Sequence, residues 1–507
     1  MEEEYDFVIL GSGLGGLTTA YILADEGFKV IVLEKNRQPG GSLQVFSRNK
    51  HVFDTGVHYL GGLEKGQNLY QFFKYLGIMD NVKFKKLDTN GFDKIKFIDD
   101  DKVYAFGQGY ENFARILKQD FPEEGEAIEK YCAEIERITQ DFPLYNLSSD
   151  LDPNYYDKTY FSVSVSSFLK TITKNEKLQN VLAGSMMLYA GKEDETPLYV
   201  HALVMNSYIN SAYRCIDGGS KIAVYLTKKI RHLGGKVLLN AKVSKAIFKE
   251  NNEIGSIILE DGREFKGKNF ISNIAPKQTI DIVGEKHFKK AFVNRLKNLN
   301  YTISSFTVHL TLKPNSFKYL NSNLYYFREK NIWSATEYNA DTWPSNILIN
   351  MPFSKHTTEY SEVVSFLTYM DYDEMKLWHN TYNVDTKNDR GQTYKDWKKE
   401  KENVLIDIID KELFPGLKDI IENVESSTPL TYRDYIGNSN GAMYGTAKDY
   451  KSPVKSFINT KTKVPNLFLT GQYLNLHGVL GVTVSAFLTC FEFIDREKLL
   501  NKVKSKN

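Results

Sequence analysis

Three cysteines in 507 residues, Cys132, Cys215 and Cys490, are too few, too scattered and odd in number to build a disulfide frame. None forms a C-x-x-C pair for zinc or thiol redox work, so no metal site is expected and sulfur is left without a catalytic part. This scarcity points to a reducing, cytoplasmic setting. An excess of one charge is also missing: 65 Lys plus Arg stand against 63 Asp plus Glu, too slight a surplus for a nucleic-acid surface. The start, MEEEYDFVIL, is acidic where a signal peptide is basic, and it has no cleavage site. No window of about 18 residues is apolar without interruption. The nearest, residues 476–494, contains His477, two threonines, a serine and Glu492 and reads as a buried helix. Tandem repeats and low-complexity linkers are absent as well. What remains is length enough for two lobes and an enclosed cofactor. The 32 Tyr and 31 Phe would suit an apolar tunnel.

The chain opens on an apolar β-rich run, YDFVIL, followed by GSGLGG and then LTTAYILADEG, whose apolar positions fall on one helical face. FKVIVL is a second strand, which completes a βαβ unit. Residues 218–235 read as a helix bracketed by glycines. KVLLNAKVSKAIFKE reads as a strand pair or a bulged strand, and the following segment as a hairpin turned at Asp261-Gly262 with another strand after it. YTISSFTVHLTL and EVVSFLTYMDY are aromatic-rich and alternating. The lysine-rich stretch around residues 394–413 mixes both signs, as a solvated helix face does.

Gly11, Gly13 and Gly16 fit G-x-G-x-x-G between strand and helix. There the first glycine turns the chain, the second admits a pyrophosphate and the third lets helix and strand pack. Glu34 ends the second strand, where a carboxylate accepts hydrogen bonds from ribose hydroxyls. Together these indicate an adenine dinucleotide. A nicotinamide dehydrogenase would continue straight into further βαβ units. Residues 37–62 are instead an irregular glycine-rich excursion, which suits the longer, extended FAD. Gly40-Gly41 can bring N–H groups against it, and Asp54-Thr55-Gly56 can turn beneath the ring system. His58 then either faces the site, with an unperturbed pKa near 6.5 that suits proton transfer, or caps a turn. Near the end, Gly471 follows a strand, and Gly478 and Gly481 open an apolar helix whose N-terminus favours negative charge. GQGYEN at Gly107 lacks a third glycine and a strand–helix setting, so one dinucleotide site is expected.

These stretches, GSGLGG, PGGS, FDTGVHYLGG, ISNIAP, STPLTYRDYIGNSNGAMYG and NLFLTGQ among them, resemble the flavin-dependent carotenoid desaturase, carotene isomerase and retinol saturase family of amine-oxidase-like flavoproteins. FDTGVHYLG and LTGQ look most like the retinol saturase (all-trans-retinol 13,14-reductase) branch. The resemblance implies FAD contacts at Gly11, Gly13, Gly16, Glu34, Lys35, Gly41, Ser42 and Gly56, adenine against Val243, and a C-terminal element of Gly471, Gln472, Gly481 and Val482. Tyr473 departs from it, standing where the saturase pattern has Asp. AYRCIDGGS departs as well, replacing a shorter, proline-bearing approach to the glycine pair.

The expected fold is therefore α/β, with a discontinuous Rossmann-like FAD domain (residues 1–100, 216–280 and 426–507) and a substrate lobe of mixed sheet and helices (101–215 and 281–425). The resemblance implies hydride transfer between flavin N5 and a carbon–carbon bond of a lipophilic retinoid or carotenoid, with His58 as the catalytic candidate. The same motifs serve saturation, desaturation and isomerisation. Electrons would pass to or from a quinone, oxygen, a small redox protein or transient NADPH. Peripheral membrane association is expected, since a polyene must reach the site from lipid. Two alternatives share the scaffold: an amine or amino-acid oxidase, and a non-catalytic isoprenoid-binding protein.

Overall fold

A strand that is apolar on both faces belongs in the middle of a sheet. YDFVIL occupies that place as Glu4–Leu10 (β1), with Phe7, Val8, Ile9 and Leu10 all buried. The computed structural model describes residues 3–149, 158–357, 359–383 and 389–506. The first two residues of the acidic start and the last residue of the basic tail lie outside these ranges. After β1 come the helix Leu14–Asp25 (α1) and the strand Val30–Leu33 (β2), which runs parallel to β1 with Phe7 opposite Val30. The opening βαβ unit is present. Its helix is buried all round from Leu14 to Ala24, because the helices Gly478–Cys490 and Ser220–His232 pack against it as well as the sheet.

The first sheet adds Lys236–Leu238 (β3), Val243–Phe248 (β4), Ile254–Leu259 (β5), Glu264–Ser272 (β6) and Leu467–Leu469 (β7). Its order is β3-β2-β1-β6-β5-β4, with β7 beside the end of β6. KVLLNAKVSKAIFKE supplies two strands, but they lie at opposite ends of this order. Asn240 adopts a left-handed conformation (φ +51), and the N–H groups of Asn240 and Ala241 bond to the carbonyls of Asn36 and Glu34, which turns the chain away after β3. The hairpin at Asp261-Gly262 forms, yet no separate strand follows it. β6 is one continuous strand, antiparallel to β5 at its start and parallel to β1 and β7 towards its end.

The second sheet runs Ile421–Ser427, Ser304–Leu312, Val363–Met370, Asn346–Asn350, Asn323–Phe327, Asp93–Phe97, Val103–Phe106. Neighbours are antiparallel except for Asn323–Phe327 with Asp93–Phe97. Every residue of Ser304–Leu312 and Val363–Met370 is buried, so their alternation does not mark a wet face. One face is covered by Gly391–Glu412, which buries Tyr394, Leu405, Ile406 and Ile409 and leaves Lys395, Lys399 and Lys411 exposed, while Lys401 lies over the Trp343 ring. The other is covered by a helical layer that includes Gly125–Gln140 and Leu198–Asn210. GQGYEN does lie between a strand, Val103–Phe106, and a helix, Tyr110–Asp120, contrary to expectation. That strand is an antiparallel edge of the second sheet rather than part of a parallel βαβ unit, and the third glycine is still lacking. Among the described residues no helix is long and apolar enough to cross a membrane.

Phe270, fully buried on β6 beside Val8 of β1 and in one cluster with Tyr5 and Ile280, is a test of this core. Phe270→Ala should cost about 3–5 kcal/mol and lower the urea midpoint of unfolding. An unchanged midpoint would contradict its placement.

Candidate cofactor and substrate cavity

The glycine turn after β1 is built by contacts that exclude side chains. Gly11 has φ +91, and a Cβ on Gly16 would stand 2.1 Å from the carbonyl oxygen of Gly11. The residue that fills this space is Asn273, directly after β6. Its N–H donates to Leu10 O at 2.9 Å and its amide to Gly11 O at 3.5 Å, and Cβ atoms on Gly13, Gly15 or Gly471 would stand 2.8, 2.5 and 2.6 Å from its side-chain amide. Sequence reasoning quoted ISNIAP but gave Asn273 no role. The available signal was its position at the carboxyl end of a strand, the edge at which parallel sheets bind ligands. Gly41 (φ +56) closes over the turn, its absent Cβ 3.2 Å from Gly13 Cα.

Glu34 is buried in the wall. Its carboxylate accepts from the Ser12 N–H (3.0 Å), the Ser12 hydroxyl (2.5 Å) and the Asn36 N–H (2.8 Å). Of about four acceptor positions on a carboxylate, three are taken by the chain itself. Lys35 donates to Asp434 O at 2.8 Å, and burial lowers its pKa.

A cavity of about 480 Å³ extends from this turn to the second sheet. Gly11, Gly13, Glu34, Lys35, Gly41, Ser42, Gly56, His58, Val243, Gln472 and Val482 line it; Gly16, Gly471 and Gly481 do not. These last three are packing glycines: Gly481, for instance, has Leu476 where its Cβ would be. The N-terminus of Gly478–Cys490 opens on the cavity through Gly478, Val479 and Val482. Gln472 and Tyr473, the latter in place of an expected Asp, both donate to Asn438 Oδ1, at 3.0 and 3.1 Å. The charged lining residues, Glu34, Lys35, Lys242 and Asp281, all come from the first-sheet side. The far wall, with Met187, Leu188, Tyr208, Leu348, Leu367 and Met443, carries no charge.

His58 stands between these halves. Its Nδ1 is buried without a hydrogen-bond partner, and burial, reinforced by the nearby Arg214, pushes its pKa down to about 4. The expected value near 6.5 is thus corrected, and the imidazole is neutral at neutral pH. Arg214, on the short strand Ala212–Cys215, is itself buried and donates to Ser322 O (2.8 Å) and Asn323 Oδ1 (2.9 Å). Among the described residues no carboxylate lies within 4.0 Å of it. Its charge is felt by Asp54 and Asp93, both raised by burial to about 6. Asp93 accepts from Tyr59 (2.8 Å), Asn323 (2.8 Å) and Ser185 (3.2 Å), which anchors Tyr59 in the cavity wall against Tyr208. Arg214 and Asp93 went unremarked in the sequence.

The glycine cradle, where any side chain would intrude, and the adjacent helix N-terminus fit a dinucleotide, and the two sheets with the cavity between them define a mixed α/β fold of the Rossmann-like dinucleotide-binding class. Residues 9–76 match the NAD(P)-binding Rossmann-like domain. A solved putrescine oxidase variant shares the fold over 99% of both chains, with a TM-score of 0.63 at 13% identity. Within that class the chain is related to the all-trans-retinol 13,14-reductases and prolycopene isomerases. It is 27% identical to the Danio rerio reductase over 96% of this chain and 85% of that one, and 27% identical to prolycopene isomerase 2 of an Oncidium hybrid cultivar over 87% and 75%.

Because the folded pKa of His58 lies below its unfolded value, the unfolded state binds the extra proton between pH 6.5 and about 4. This group's contribution is therefore complete above pH 6.5 and is lost as pH falls through that window. His58→Gln should lose less stability than the parent protein between pH 7 and pH 5, measured as the change in Tm. Equal losses would place the imidazole in a wetter setting.

Proposed function

We propose that the protein is an FAD-dependent oxidoreductase acting on carbon–carbon double bonds of a lipophilic retinoid or carotenoid. The observation that carries this reading is one continuous cavity with a glycine cradle and all its charges on one side and an uncharged apolar wall on the other. Relatives named for retinol and for prolycopene support the substrate class. FAD, when bound, supplies hydride chemistry at its N5. Gly11, Gly13 and Gly41 would hold the pyrophosphate, Val243 the adenine, and the free N–H groups in the first turn of Gly478–Cys490 would favour negative charge on the ring system. Tyr59, Tyr208, Leu348 and Leu367 hold the polyene and exclude water.

His58, our candidate at the reacting end, is neutral: it can donate or accept a hydrogen bond but is only a weak base. In the saturating direction the proton comes from another source, because an imidazole with a pKa of about 4 carries almost none at pH 7. With one dinucleotide cradle, electrons are exchanged with a quinone, oxygen, a small redox protein or transient NADPH. The same reading divides the chain into the FAD and substrate segments given above and brings the protein to membrane surfaces, where its substrate dissolves. An amine oxidase is less favoured, since the far wall offers no carboxylate to an ammonium group.

The purified protein should be yellow, with one FAD per chain. Gly13→Val, whose Cβ would stand 2.8 Å from the Asn273 amide, should distort the cradle and give colourless protein. Incubating the reduced and oxidised forms with a panel of retinoids and carotenoids should yield a product that differs from its substrate by two hydrogens or in double-bond geometry. A colourless parent protein would refute the cofactor assignment. Peroxide release with amines, and inert polyenes, would favour the oxidase.

A further inference from the structure

The turn Tyr432–Ile436 and the two residues after it roof the cavity on its first-sheet side, where Tyr432, Tyr435, Gly437 and Asn438 line it. Three side chains from the first-sheet side donate to carbonyls of this roof. Lys35 Nζ meets Asp434 O at 2.8 Å, Asn36 Nδ2 meets Tyr435 O at 2.7 Å, and Gln278 Nε2 meets Gly437 O at 3.1 Å. All three also line the cavity, so each bond crosses the seam between wall and roof.

On its other side the turn is fixed differently. The carboxylate of Asp434 is paired with Arg390 and Arg433, and Arg433 also donates to the carbonyls of His379 and Thr381. Arg390 leads into Gly391–Glu412, the helix that packs on the second sheet. The roof is therefore held to the second-sheet side by the buried Arg390–Asp434 ion pair and the bonds of Arg433, and to the first by single hydrogen bonds, those of Gln472 and Tyr473 to Asn438 Oδ1 among them. Breaking a buried, hydrogen-bonded ion pair is the costlier event, so the seam towards the first sheet parts first. The turn is wound as a π-helix, a form that recurs at functional sites, and ends at Gly437, whose φ of +84 frees the chain to pivot.

We propose that residues 432–438 form a clasp over the nucleotide end of the cavity, fastened by Lys35, Asn36 and Gln278, which must open for a dinucleotide to enter or leave. The inference rests on the FAD reading above. It makes Lys35 a positioning residue that holds the clasp, rather than a ligand of the cofactor. Loosening the clasp lowers the barrier in both directions, so uptake and release accelerate together while affinity changes little. Loss of a side chain that touched the cofactor directly would speed release without speeding uptake.

The test uses full-length protein carrying Asn36→Ala, Gln278→Ala or both. Release is followed by the recovery of free-flavin fluorescence after dilution, and uptake by the visible absorbance of apoprotein mixed with FAD. The double variant should raise both rate constants about tenfold, two hydrogen bonds being lost from the closed state, with Kd nearly unchanged. Faster release with unchanged or slower uptake, or no change in either, overturns the clasp. Amide hydrogen exchange in the parent protein gives a second reading that does not depend on how the variants fold. Residues 432–438 should be better protected with FAD than without, and equal protection counts against the proposal. A parent protein that binds no FAD defeats the cofactor reading and the clasp with it; FAD bound with unaltered exchange rates defeats the clasp alone.

Discussion

The first sheet and its cavity are organised around one crowded side chain. Asn273 occupies the space that side chains on Gly13, Gly15, Gly16 and Gly471 would otherwise fill, and its backbone bonds to the end of β1. The β1–α1 turn, the end of β6 and the residues after β7 can approach one another only because four glycines offer no Cβ and one amide is short enough to fit among them. A close-packed interior has no slack with which to absorb an added methyl group. The bare backbone left on the open side of the turn is what a pyrophosphate needs, so the packing requirement and the binding requirement coincide.

Charge is partitioned with similar economy. The ionised lining residues lie on the first-sheet side of the cavity, and towards the second sheet a buried guanidinium, Arg214, works through its field rather than through an ion pair. It helps to keep His58 uncharged and opposes the protonation that burial favours in Asp54 and Asp93. The far wall therefore presents phenols, methionines and aliphatic side chains, with no exposed ion to desolvate.

How much of this could be read in advance depended on the kind of signal. Gly11 and Gly16 were legible because a left-handed turn and a contact of 2.1 Å admit no other residue, and the opening βαβ unit because its elements are neighbours in the chain. The separation of β3 from β4 was not legible: it turns on backbone bonds from Asn240 and Ala241 to residues 36 and 34, which no local pattern announces. Arg214 and Asp93 look like ordinary surface charges in sequence and become buried only when the second sheet assembles. The pKa of His58 was misjudged for the same reason, since its neighbours come from distant segments. The alternation in Ser304–Leu312 marks no polar side, because the sheet is covered on both faces.

The topology of β6 sets the order in which the molecule can be made. β1 finds β2 within the first 33 residues, but its other edge waits for β6, where Glu4 pairs with Lys266, and β6 in turn waits for β7, where Phe270 pairs with Leu467. At ribosomal rates of about 5–20 residues per second, β1 is left with an open, apolar edge for roughly ten to fifty seconds. An unpaired strand of that kind is a template for the wrong partner. The nascent chain thus spends much of its synthesis with its most aggregation-prone surface uncovered, and slow translation prolongs that exposure.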